Sequence, residues 1–386
     1  MYDRDMILPA LLIAILIPAL VLYWMRTLDL YRTGEFRLLL ACFGGGVLGF
    51  GLAFLVNRTL ILNGVISNIN VVRFSAPVAE EILKALILFL VVRSSRFTYF
   101  VDGALYGFAA GVGFAIVENI EYILGAPGAA LGIAVTRVIS TNLMHAAATA
   151  VIGVSFGLAR FERAPRRTLL VLAGFALAMA LHMVFNNLVT RVSSPLVLLL
   201  CAVLIGMGGA GFVVWTIRRG LREEKGWIEE KLGMADRVTT GEAAVVQRMD
   251  QLKALLAPLA KRFGAEKADQ MEQLLLLQAR LGILRKTIEK LSSDERMRKN
   301  VEAQADEVYQ QMEALRRALG PYVMLYLRNI FPENASPVWQ RLETILAEKA
   351  ASRARGEAPA VNVWATLGQR TARPAASQDD SKSSPS

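Results

Sequence analysis

The chain has 386 residues, 54% of them hydrophobic, and a formal net charge of +10. Its mean hydropathy of +0.41 excludes an ordinary soluble globular protein. Its two cysteines, Cys42 and Cys201, both lie in apolar stretches, which excludes a disulfide framework or a cysteine metal cluster.

Seven stretches read as nearly continuous apolar runs: 7–24, 38–56, 76–92, 100–124, 138–159, 169–189 and 197–217. A helix needs roughly 20 such residues to span the hydrocarbon core, and each run comes close. Asp3, Arg4 and Asp5 precede the first run, which is long enough to remain as a span, so no cleavable signal is expected. The basic residues alternate between connections. Arg26, Arg32 and Arg37 follow the first run, Arg93 and Arg96 the third, Arg160, Arg163, Arg166 and Arg167 the fifth, and Arg218, Arg219 and Arg222 the seventh. The alternate connections are poorer: Arg58 and Arg73, then none between Leu124 and Leu131, then Arg191. The Arg-rich side is expected to be cytoplasmic, which places the N-terminus outside and the C-terminus inside, with the bacterial plasma membrane as the expected location. The basic balance then reports on orientation and anionic lipid, and no nucleic acid partner is expected.

After Arg222 the composition changes. Residues 241–353 are rich in strong helix formers. Leu274, Leu277, Leu281, Leu284, Ile288 and Leu291 alternate spacings of three and four, a short coiled-coil-like seam that suits a hairpin or small bundle equally well. Ser292 and Glu295 have capping-box spacing before the next helix, and Gly320-Pro321 is expected to end it. The last thirty or so residues lack an apolar period and read as a disordered tail. The expected fold is all-α: a polytopic helical membrane domain of about seven transmembrane helices over 1–220, a cytosolic helical or coiled-coil region over 221–354, and the tail over 355–386. The cytosolic helices offer a surface for self-association or partner docking.

Ionisable side chains inside a span cost roughly 2.5 to 3.5 kcal/mol each on insertion scales, so each asks for a reason. The third run opens with Ser75 as a cap and Pro77 in the first turn, then carries Glu80, Glu81 and Lys84. Glu80 and Lys84, four apart, are expected to pair, which leaves one carboxylate over. The fourth run carries Gly103, Gly107 and Gly111, a small-residue stripe for close helix packing, and leads on to Glu118. In the fifth, Arg137, Thr141 and His145 share a face; in the sixth, His182 and Asn186 do. Glu80, Glu118, His145 and His182 all fall about 8 to 12 Å below the expected outer surface, from about 1.5 Å rise per residue. A carboxylate and an imidazole around one buried water suit general acid–base hydrolysis. An imidazole with an amide at helical spacing suits an oxyanion. Two histidines with a carboxylate, His145, His182 and Glu118, suit zinc instead. The metal-free version is favoured, so no cofactor is expected, with zinc as the alternative.

Glu80-Glu81-x-x-Lys84, Asp102-Gly103-x-x-Tyr106-Gly107, Phe114-x-x-x-Glu118-Asn119, His145 and His182-x-x-x-Asn186 resemble, in order, the PrsW family of intramembrane proteases. More distantly they resemble the membrane endopeptidases of prenylated CAAX proteins, whose pattern has a histidine where this chain has Glu118. The resemblance implies hydrolysis of a peptide bond in a membrane-anchored protein, in bacterial members a single-span anti-sigma factor cut on its outer side. It implies that Glu80 activates water, that Glu81 and Glu118 lie in the catalytic layer, and that His182 and Asn186 hold the oxyanion, with His145 able to partner Glu80. Lys84, Asp102, Tyr106, the three glycines and Arg137 are read as structural support. Two other readings stay open. Buried Glu, Lys and His also build the pathway of a proton- or cation-coupled transporter, although no second copy of the Glu-Glu-x-x-Lys element suggests an inverted repeat. A non-catalytic scaffold would act through its cytosolic helices.

Overall fold

All seven apolar runs become helical in the computed structural model, which describes residues 6–328 apart from 30, 32, 33, 193, 233–237, 239, 247, 292 and 293. Helix α1 is Ile7–Thr27 and α2 is Phe36–Leu62. A single turn, α3 (Asn68–Asn70), and a π-turn, Val71–Ser75, lead into α4 (Ala76–Val91). Then come α5 (Phe100–Gly125), α6 (Ala130–Ile139), α7 (Thr141–Ala159), α8 (Ala164–Arg191) and α9 (Pro195–Lys231).

Among the described residues six helical stretches are long and apolar enough to cross a membrane: α1, α2, α5, the α6–α7 pair, α8 and α9. The seventh expected span, α4, has 16 residues. At about 1.5 Å per residue it reaches roughly 24 Å, short of a hydrocarbon core of about 30 Å. Side-chain exposure separates the two solvents. Large exposed apolar side chains run from Met6 to Trp215, and beyond that point, among the described residues, only Tyr322 joins them. A water-facing surface could not carry the first set, whereas lipid accepts it. The chain is an all-α polytopic integral membrane protein.

Helix α5 is the buried axis, packed between α2 and α7. Its glycines permit backbone contact. A Cβ on Gly103 would stand 2.1 Å from the Gly153 carbonyl, one on Gly107 2.4 Å from that of Thr149, and one on Gly111 2.5 Å from that of His145. The packing reading of this stripe therefore holds. The expected single fifth span is divided: the backbone turns at Ser140 (φ −120°, ψ −79°), so Arg137 belongs to α6 and does not share a helix face with His145.

Helix α9 runs unbroken past residue 220 into the C-terminal helical region. There α10 (Thr240–Val246), α11 (Leu252–Phe263), α12 (Ala265–Lys290) and α13 (Glu295–Arg328) follow. Leu274, Leu281, Leu284 and Leu291 are buried, with Leu277 and Ile288 packed at the edge. Helix α12 packs against α9, α10, α11 and α13, so the leucine seam serves a bundle. Lys267 donates to the Ala318 carbonyl at 2.7 Å, which folds α13 back along α12. At the start of α13 Asp294 Oδ1 accepts from the Met297 N–H at 2.9 Å, and the expected cap Ser292 lies outside the described residues. Gly320 breaks α13 with φ 79°, as its left-handed conformation allows, but helix resumes from Pro321 to Arg328. The expected tail, 355–386, lies outside the described residues.

The bundle rests on one end of the membrane helices. Arg96 and Arg280 both reach Glu35, at 2.7 and 3.4 Å. The Lys290 ammonium sits 4.1 Å from the Trp227 ring centroid, 5.1 Å from Tyr99 and 5.4 Å from Phe161.

Candidate active site

The polar layer lies at the opposite end of the same helices, near the start of α4 and α7 and the end of α5 and α8. Ser75 is not the expected cap. Its backbone is helical and its side chain makes no capping bond, because the π-turn runs straight into α4. That turn is held from α8: Asn186 Nδ2 donates to the Val72 carbonyl at 2.8 Å, Asn187 Nδ2 to Arg73 O at 3.3 Å, and Arg73 Nε to Thr190 Oγ1 at 2.8 Å.

Lys84 pairs with Glu81 rather than with Glu80, at 2.5 Å, and neither side chain is exposed. Glu81 also receives His182 Nδ1 at 2.9 Å and the Thr149 hydroxyl at 3.3 Å. Lys84 Nζ lies 3.1 Å from His145 Nδ1 and 4.7 Å from the Phe114 ring centroid. An ammonium can only donate, so His145 Nδ1 accepts and Nε2–H points to Glu118, 2.9 Å away. Glu118 takes Arg137 at 2.6 Å, and Asn119 Oδ1 takes the Arg137 Nε at 2.7 Å. The guanidinium stacks on Tyr122 at 3.9 Å. The two imidazoles meet edge to face at 4.7 Å.

Glu80 is held differently. Its Oε1 is 3.5 Å from Asn57 Nδ2 and its Oε2 is 3.7 Å from His182 Nε2, and among the described residues Oε2 has no hydrogen-bond partner. It faces a cavity of about 430 Å³ lined by Asn57, Phe114, Glu118, Tyr122 and Asn186, among others. Of the carboxylates here, Glu81 and Glu118 are neutralised by Lys84 and Arg137, and Glu80 alone among the three lacks a strong hydrogen bond.

Glu80, Glu81, Lys84, Glu118, Arg137, His145 and His182 thus converge as one cluster, and Asn186 stands at its rim. Asp102 and Tyr106 do not join it. Asp102 Oδ2 accepts the Thr98 N–H and hydroxyl, both at 2.6 Å, and Tyr106 Oη accepts the Glu35 N–H at 2.8 Å, at the end nearest the bundle. The carboxylate that gathers with both histidines is Glu80 instead of the expected Glu118. Ligand atoms of Glu80, His145 and His182 lie within 4.8 Å of one another. This two-histidine, one-carboxylate set fits zinc in donor type, and the Glu81 contact orients His182 as a carboxylate behind a ligating histidine would. His145 would have to release Lys84 or Glu118 to join. Sequence reasoning missed Asn57 and Thr149. Asn57 stands one residue past an apolar run, and Thr149 shares a helix face with His145; an amide and a hydroxyl cost too little in a span to stand out.

Residues 34–217 match a family described as "PrsW family intramembrane metalloprotease". The chain is 31% identical over 160 residues to "Protease PrsW" of Geobacillus kaustophilus (strain HTA426), covering 41% of this chain and 69% of that protein. No solved structure matches the chain.

Proposed function

The chain belongs to the PrsW family of intramembrane proteases, and we propose that it cuts a membrane-anchored, single-span protein of the anti-sigma-factor kind with a water activated by Glu80. The observation that carries this reading is Glu80 Oε2, a buried carboxylate oxygen without a hydrogen-bond partner among the described residues, on a side chain that lines the cavity, 3.7 Å from His182 Nε2. Glu80 takes a proton from water as the oxygen attacks the peptide carbonyl. His182, anchored through Nδ1 on Glu81, receives that proton at Nε2 and delivers it to the leaving amine as the C–N bond breaks. Asn186 spends one amide N–H on Val72 and keeps the other for the oxyanion, where the protonated His182 joins it. Lys84 and Arg137 hold Glu81 and Glu118 in place for His182 and His145. The cavity lies at the end of the helices away from the soluble bundle. With the Arg-rich end cytoplasmic, the N-terminus lies outside a bacterial plasma membrane, the C-terminus inside, and the substrate is cut on its outer side.

One observation favours a second reading, the grouping of Glu80, His145 and His182 within 4.8 Å. These three would hold a zinc ion, which would supply Lewis acidity toward the carbonyl and a more acidic water. The deciding experiment reconstitutes parent, Glu80→Gln and His182→Ala proteins in liposomes with a panel of single-span membrane proteins, with and without chelator. Metal content of the purified proteins is measured in parallel. Cleavage by the parent alone supports the hydrolase. Cleavage by Glu80→Gln at the parental rate sinks it. Activity that survives chelation, in protein that holds no stoichiometric metal, removes the zinc reading.

A further inference from the structure

We propose that Asn57, on α2, is a further catalytic residue of this site: its side-chain oxygen and Glu80 Oε2 together hold the attacking water. The inference rests on the reading of Glu80 as the base.

Three observations converge on it. First, α2 is brought against α4 with its backbone close. A Cβ on Gly45 would stand 2.5 Å from Ile87 Cβ, and one on Gly49 3.5 Å from the Lys84 backbone nitrogen, while Ala53 is buried. Gly45, Gly49, Ala53 and Asn57 recur every four residues, so Asn57 is the next position of the same face, and it arrives at Glu80. Its neighbours Leu55 and Val56 are exposed on the outside of the helix bundle. The position is therefore set by close packing rather than by a mobile loop.

Second, the direct contact is too long to be the reason for the asparagine. Asn57 Nδ2 and Glu80 Oε1 are 3.5 Å apart, beyond the usual 2.9 to 3.0 Å of an N–H···O bond. Third, Asn57 Oδ1 and Glu80 Oε2 are both buried acceptors without a hydrogen-bond partner among the described residues. Both residues line the cavity. Two buried acceptors on side chains whose other polar atoms lie 3.5 Å apart suit a donor with two protons, and water is the smallest one. A water that gives one O–H to Asn57 and the other to Glu80 turns a lone pair toward the cavity. The second proton then passes to Glu80 as the new C–O bond forms, while the first stays on the nucleophilic oxygen. Asn57 neither gains nor loses a proton.

The test compares parent, Glu80→Gln, Asn57→Ala, Asn57→Leu and Asn63→Ala full-length proteins in liposomes. The probe is a fluorescently tagged single-span membrane protein from the panel above, and kcat, KM and the melting temperature are read for each. Asn63 is the control: it caps the C-terminal end of α2, outside the cavity lining, and donates to the Thr59 carbonyl at 2.9 Å. Asn57→Ala and Asn57→Leu are expected to lose about a hundredfold in kcat at unchanged KM and melting temperature, with Asn63→Ala at the parental rate. Asn57 variants within twofold of an active parent overturn the inference and leave the Glu80 reading standing. A loss that follows a raised KM or a lowered melting temperature also overturns it. A parent that cleaves nothing in the panel overturns both.

Discussion

Glu81 and Lys84 form an ion pair of 2.5 Å in which neither side chain is exposed, and both partners touch a histidine of the site. Taking one partner away leaves an uncompensated buried charge, a cost of about 3 to 5 kcal/mol. Lys84→Met is therefore expected to lower the melting temperature in detergent sharply and to abolish proteolysis. The double variant Glu81→Gln/Lys84→Met is expected to recover much of the stability and none of the activity. Equal stability losses in the single and double variants would mean that the pair is not the unit argued here.

Arg137 bridges two adjacent residues, with one nitrogen on Glu118 and another on Asn119, while stacked on Tyr122. A lysine keeps the charge but loses the planar fork. Arg137→Lys is expected to keep the fold and to slow cleavage at least tenfold, about 1.4 kcal/mol in the barrier. Steady-state kinetics decide it, and a parental kcat would show that charge alone suffices.

Gly107 has no room for a methyl group, since a Cβ would meet the Thr149 carbonyl at 2.4 Å and Ala150 Cα at 2.7 Å. The obstacle is backbone, so α7 must move, and His145 moves with it. Gly107→Ala is expected to cost about 1 to 3 kcal/mol of stability, as overpacking does. Gly125→Ala meets nothing within 4 Å and is expected to stay within about 0.5 kcal/mol of the parent. Denaturation of the two variants side by side checks this.

Lys290 carries its ammonium from α12 into a ring of Trp227, Tyr99 and Phe161, which belong to the membrane helices and their loops. A cation over an aromatic face contributes about 0.5 to 2 kcal/mol. Lys290→Met is expected to speed amide hydrogen exchange in α12 and around residues 95–99, and Lys290→Arg to restore protection. Unchanged exchange in Lys290→Met would mean that the apolar contacts of the stem hold the bundle alone.

Much of this was legible before any coordinates. The apolar runs, the glycine stripe of α5 and the helix-rich region after Arg222 follow from local composition and spacing, because a span must bury its own backbone and each run is long enough to do so. The shared depth of Glu80, Glu118, His145 and His182 follows from helical rise. The break between α6 and α7 did not, since Ser140 carries no helix-breaking signal. Nor did the π-turn before α4, which Asn186 and Asn187 pin from α8, although α4 itself closely matches the run 76–92.

The sequence by itself determined that this is a polytopic helical membrane protein, and which ionisable side chains are placed in its spans. Only the tertiary structure decided which of them meet. Lys84 chose Glu81 over Glu80, Arg137 reached Glu118 from a separate helix, and Asn57 came to face Glu80 through the close approach of α2 to α4. Helical periodicity gives each residue a depth and a face, but the partner across an interface is set by how the backbones of two helices approach. That approach depends on glycines and alanines far along the chain from the residues they bring together.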